Sequence, residues 1–124
     1  MDLDPSVWTL CFTKMSEIIP QKLFLANWRA AEDIEQLEGN KITHILTVAC
    51  DIQPKHPEKF QYKVIDVEDI HYVDLKQHFN ECIEFIDKCL ESGGRIVVHC
   101  AAGVSRSATI TIAYLMIKNK WKFG

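Results

Sequence analysis

Two neighbouring segments leave this chain little choice of fold. Arg95-Ile96-Val97-Val98-His99 has an unbroken apolar centre, and Ala108 to Ile117 is apolar nearly all round, interrupted only by Thr109 and Thr111. A strand that is apolar on both sides has to be covered on both faces, as the strands of parallel sheets are. A helix that is apolar on every side has to be buried rather than laid on a surface. The pair therefore predicts a layered α/β core with a central strand running into an inner helix.

The rest of the chain fits that architecture. Lys22 to Leu25, Ile42 to Val48 and Tyr62 to Val67 read as further short strands. Arg29 to Leu37 reads as one helix broken by Gly39-Asn40. Leu75, Phe79, Cys82, Ile83, Ile86 and Leu90 recur at helical spacing, with Asp74 and Gln77 as a capping box and Ser92-Gly93-Gly94 as the stop. Alternation of strands with helices predicts the α/β class, with a central, mostly parallel sheet flanked by helices. Residues 1–21 read as an N-terminal arm, helical or loose, and 22–124 as the domain.

Composition narrows the function. A chain of 124 residues predicts one domain. The net charge of −3 gives no global basic field to draw nucleic acid or a membrane surface, so any anion site must be local. No segment approaches the roughly 20 apolar residues of a membrane span. MDLDPSVWTL lacks the basic-then-apolar pattern of a signal peptide, and Asp2 stands where myristoylation needs glycine. The cysteines Cys11, Cys50, Cys82, Cys89 and Cys100 are odd in number and show no paired metal-ligand spacing. A reducing compartment, cytoplasmic or also nuclear, is expected, with no metal and no other cofactor.

The chemistry is concentrated in His99-Cys100-Ala101-Ala102-Gly103-Val104-Ser105-Arg106-Ser107. Cys100 stands at the carboxyl end of the buried strand, where open α/β sheets bind ligands. Ala101, Ala102 and Gly103 are small enough for the backbone to curl and aim its N–H groups inward, and a helix starts just beyond. Such a nest at a helix N-terminus binds a phosphate-sized anion. Arg106 can grip two phosphate oxygens at once. Positive surroundings of this kind lower a thiol's pKa, which makes Cys100 the expected nucleophile. Taken alone, Cys100 also fits a plain buried apolar side chain and His99 a satisfied core histidine. The spacing of Cys100 and Arg106, with His99 and Ser107 flanking them, favours the chemical reading.

HCAAGVSRS resembles the signature of the protein tyrosine phosphatases, and AGVSRS that of their dual-specificity branch. Ala26-Asn27-Trp28-Arg29-Ala30-Ala31, Ile42-Thr43-His44-Ile45-Leu46, Phe85-Ile86 and Ala113-Tyr114-Leu115-Met116 extend the likeness over about residues 18–118. The resemblance implies a phosphatase-type fold and hydrolysis of phosphotyrosine and phosphoserine or phosphothreonine through a cysteinyl-phosphate. Cys100 would be the nucleophile and Arg106 the phosphate ligand. The backbone of Ala101 to Arg106, including Val104 and Ser105, would form the cradle. Ser107 would help the thiolate leave, and His99 would order the loop and hold the thiol pKa down. The general acid would come from an upstream loop, where Asp66, Asp69 and Asp74 are the candidates. Asp69 fits best, because Tyr62 to Asp69 resembles the family strand that ends in the acid, whereas Asp66 falls inside the strand pattern and Asp74 serves as a cap. The uncharged loop positions count against a lipid substrate, and Ser105, where RNA triphosphatases of the superfamily have Asn, counts against RNA, which leaves a phosphoprotein favoured. The alternative is a truncated or non-catalytic phosphoprotein-binding module.

Two further expectations follow from the resemblance. The family has helices after the loop helix that this sequence lacks, so an uncovered face on residues 110–117 should be met by the N-terminal arm or by a homodimer. Cys50 should end a strand beside the one leading to Cys100, where plain packing is its first reading and a reversible disulfide, which needs the two Cα atoms within about 7 Å, the alternative.

Overall fold

The computed structural model describes residues 15–49, 53–66, 77–100 and 105–119. Five strands, β1 (Ser16–Ile19), β2 (Leu23–Asn27), β3 (His44–Val48), β4 (Gln61–Ile65) and β5 (Ile96–Cys100), form one sheet in the order β1-β2-β5-β3-β4. The β2–β5, β5–β3 and β3–β4 pairs are parallel, and only the edge strand β1 is antiparallel. Four helices are described: α1 (Trp28–Glu32), α2 (Ile34–Gly39), α3 (Phe79–Glu91) and α4 (Ser105–Asn119).

The sheet has two covered faces, and the pleat sorts side chains between them. Leu23, Leu46, Val48, Ile96, Val98 and Cys100 join Cys82, Ile86, Ile110 and Tyr114 in a core under α3 and α4. Phe24, Ala26, Ile45 and Val97 point the other way and pack with Ala30 and Leu37 of α1 and α2. Every residue of β5 is buried, as expected for the central strand of a parallel sheet. Fully burying one such Leu, Ile or Val side chain contributes about 1.5–3 kcal/mol.

Local chemistry explains where the elements differ from the sequence reading. Residues 16–19, expected to belong to an arm, form β1. Pro20 and Gln21 turn the chain back, Lys22 N–H donating to the Ile19 carbonyl at 2.9 Å with Gln21 at φ 62. Pro followed by a positive-φ residue is the pattern of a type II turn. The single helix expected over 29–37 is two, because Asp33 is extended. Its carboxylate accepts from Glu35 N–H and from Gln36 Nε2, both at 3.1 Å, and so caps α2. A short acidic side chain that bonds nearby backbone competes with helix continuation.

Lys41, at φ 57, rather than Gly39 makes the turn that ends α2, with Ile42 N–H donating to the Leu37 carbonyl at 2.9 Å. Gly93, at φ 82, does the same after α3, as the sequence suggested. Its neighbour Gly94 lies where a Cβ would come 2.6 Å from Thr43 Oγ1 and 2.9 Å from Cys89 Sγ, so no larger residue fits without displacement. The described part of α3 starts at Phe79 with His78 in the cap position and no side-chain cap. Asp74 lies outside the described residues.

Candidate active site

The carboxyl ends of the three central strands come together. Cys100, the last residue of β5, lies opposite Asn27 of β2 on one side and Val48 of β3 on the other. All three are buried. The chain then passes through Ala101, Ala102, Gly103 and Val104, which lie outside the described residues, and enters α4 at Ser105. The helix returns across the core, which brings its first turn to the end of β5. Cys100 Sγ and Ser107 Oγ lie 3.4 Å apart, both fully buried. Arg106, one residue earlier in the same turn, is half-buried. The thiol at the end of β5 thus meets the hydroxyl of Ser107 in the first turn of a long helix, a turn that also carries Arg106, at the helix end with partial positive charge.

Packing holds α4 in that position. Thr111 Oγ1 donates back to the Ser107 carbonyl at 2.8 Å, which accounts for a buried hydroxyl in the middle of an apolar helix. Ile110 and Tyr114 enter the core, and the Tyr114 hydroxyl donates to Asp87 Oδ1 of α3 at 3.0 Å. Lys118 Nζ reaches the same oxygen at 3.2 Å. Burial, helped by the Asp87 carboxylate, raises the Tyr114 phenol's pKa, so it stays a donor.

His99 faces the opposite side of the sheet from Cys100, as alternation along a strand requires. It is 3% exposed, and its Nε2 lies 2.7 Å from Thr47 Oγ1, its register partner on β3. Burial pushes its pKa down to about 4. Nδ1 makes no hydrogen bond of good geometry, and the Cys100 backbone beside it offsets only part of that shift. The ring is therefore neutral at pH 7, and its orientation is set by Thr47.

This burial has a consequence for stability. A histidine whose folded pKa lies below the ordinary value of 6.5 stabilises the fold fully above that value. The unfolded chain binds the proton first, so stability falls as pH drops from about 6.5 towards 4, by roughly 3 kcal/mol in total. The urea midpoint of the wild type should drop over this interval, and that of His99→Gln should drop clearly less. His44, whose pKa burial also lowers, contributes slope in both proteins. An unchanged slope in His99→Gln would contradict this account.

Asp69 and Cys50 lie outside the described residues. β4 ends at Ile65, so Asp66 follows the strand and is exposed rather than lying within it. Strand membership therefore does not set Asp66 aside. Thr47 and Asn27 were missed by the sequence reading. Asn27 Oδ1 accepts the Ala30 N–H at 3.0 Å, capping α1 at the strand end beside Cys100. Both are polar residues near the carboxyl ends of apolar strands, a signal readable only once the strands are aligned.

The sequence and structure have many relatives. The family described as "Dual specificity phosphatase, catalytic domain" matches residues 23–124. Dual specificity protein phosphatase 1B of Arabidopsis thaliana is 46% identical over 106 residues, which cover 86% of this chain and 64% of that protein. Dual specificity protein phosphatase 15 of Mus musculus is 45% identical over 82% of this chain and 43% of its own. The chain thus spans less than two thirds of these relatives' length. The crystal structure of DUSP15 superposes with a TM-score of 0.81 at 41% identity, covering 88% of this chain and 69% of that one. The human tyrosine phosphatase-like serine/threonine/tyrosine-interacting protein superposes at 0.78 with 34% identity, covering 89% and 77%.

Proposed function

The chain belongs to the dual specificity phosphatase catalytic-domain family, and from that premise we propose that it hydrolyses phosphotyrosine and phosphoserine or phosphothreonine in proteins through a cysteinyl-phosphate. The observation that carries this reading is the 3.4 Å approach of Ser107 Oγ to Cys100 Sγ in the first turn of α4, beside Arg106. In the first step the Cys100 thiolate attacks phosphorus, an S–P bond forms and the P–O bond to the substrate breaks. Asp69 gives its proton to the departing oxygen. Arg106 and the backbone of Ala101 to Ser105 hold the non-bridging oxygens as charge builds on them. In the second step water attacks phosphorus, Asp69 takes its proton, and the S–P bond breaks with Ser107 hydrogen-bonding the leaving thiolate.

A phosphatase-like protein shares this fold, so the fold alone does not distinguish turnover from binding. The presence of Cys100, Arg106 and Ser107 together supports turnover. Hydrolysis of a small aryl phosphate by the wild type, with Cys100→Ser beside it, is the test. Absence of wild-type turnover with retained phosphopeptide binding would favour the binding module.

Among the described residues no helix is long and apolar enough to cross a membrane. On α4, Ile112 and Ile117 are exposed at 52% and 55%, while Ile110 and Tyr114 are buried. The exposed pair lies about 140° apart around the helix axis, so these two side chains do not form one patch. A homodimer through this helix is a proposal that solution mass tests.

A further inference from the structure

At the rim of the site an exposed cation is held over an exposed aromatic ring. The Arg29 guanidinium carbon lies 5.3 Å from the centroid of the Trp28 ring. Trp28 is 39% exposed, Arg29 is exposed, and no carboxylate among the described residues pairs with Arg29. Their position follows from register. Asn27 ends β2 directly opposite Cys100, and Trp28 is the next residue. A strand spacing of about 4.8 Å plus one Cα step of about 3.8 Å puts Trp28 no more than about 9 Å from Cys100, Cα to Cα. The buried Asn27 side chain, bonded to Ala30 N–H, fixes the start of α1 and with it this pair.

An extended peptide advances about 3.3 Å per residue. Two or three residues of such a peptide span about 7–10 Å, comparable to the bound between the Cys100 and Trp28 Cα atoms, and Arg29 follows Trp28 in the chain. A guanidinium stacked on an indole is pre-oriented, loses less freedom on binding, and presents N–H donors to an anion. We propose that Trp28 and Arg29 form a specificity subsite for an anionic side chain, carboxylate or phosphate, flanking the target residue by two or three positions. This rests on the phosphatase reading and names the substrate feature that the same site would prefer.

The test compares three phosphopeptides that differ only at the flanking position: Ala, Glu and phosphoserine. For the wild type, kcat/KM should be about two- to fivefold higher with Glu than with Ala, the range of an exposed ion pair, and higher again with phosphoserine. In Arg29→Gln both ratios should fall towards one, and Arg29→Lys should restore part of them. The preference should shrink as salt is raised, because the pair is exposed. Ratios unchanged in Arg29→Gln, or equal to one in the wild type, would overturn the proposal. Failure of the wild type to hydrolyse a small aryl phosphate would instead sink the phosphatase reading. The flank preference would then be read as a ratio of Kd values in the Cys100→Ser protein, with the same outcomes for and against it.

Discussion

Cys100→Ser is expected to lose turnover by on the order of 10⁴-fold or more and to keep its affinity for phosphopeptide. Removing the attacking atom of a covalent mechanism abolishes the step that every later step depends on, and such losses are among the largest single-residue effects in enzymes. A serine hydroxyl fits the same volume, since Cys100 is enclosed by Ser107 and by the parallel neighbours of β5. It stays protonated at neutral pH and is a far weaker nucleophile. The groups proposed to hold phosphate, Arg106 and the backbone N–H donors, are untouched. The checking measurements are aryl phosphate turnover and phosphopeptide titration on the same preparation, with the urea midpoint as control for folding. Wild-type turnover in the variant would end the covalent mechanism. Loss of binding at an unchanged midpoint would end the assignment of the cradle.

The second large effect is expected at Asp69. Asp69→Asn should slow hydrolysis of a phosphoserine peptide by about 10²–10⁴-fold, the range of general acid catalysis. An alkoxide leaving group needs the proton most. An aryl phosphate with an acidic phenol needs it least, and there the loss should be much smaller. That difference between substrates separates a proton donor from a residue that merely supports the loop, whose loss would slow both alike. Asp66→Asn serves as the comparison, because Asp66 is exposed just after β4 and lies three residues from Asp69. A substrate-dependent loss in Asp66→Asn with none in Asp69→Asn would move the role to Asp66.

Much of the fold was legible because it rests on short-range patterns. The apolar centre of residues 95–99 and the all-round apolar helix that follows required a strand covered on both faces, and β5 is central and buried. Ser92-Gly93-Gly94 signalled the end of α3 because a positive φ favours glycine, and Gly93 adopts one. The helix before β3 likewise ends at Gly39-Asn40, as read, but there the positive φ falls on Lys41, where the Lys41 N–H and Ile42 N–H bonds to the Glu38 and Leu37 carbonyls outweigh its preference. The break at Asp33 was hidden because Arg29 to Leu37 keeps a helical period while a single side chain interrupts the backbone.

The candidate site divides along the same line. His99, Cys100, Arg106 and Ser107 lie within nine residues of chain, so spacing alone brought them to notice. Their arrangement was decided by tertiary structure: the strand's alternation sends Cys100 and His99 to opposite faces, and the return of α4 sets Ser107 against the thiol. Thr47 is separated from His99, and Asn27 from Cys100, by long stretches of sequence, and each pair meets only through the parallel register of β3, β5 and β2. Sequence carries the identity of reactive groups and the periods that bury them. Which distant polar residue faces which is fixed only when the strands pair, because register is set by the whole buried sheet and not by any one segment.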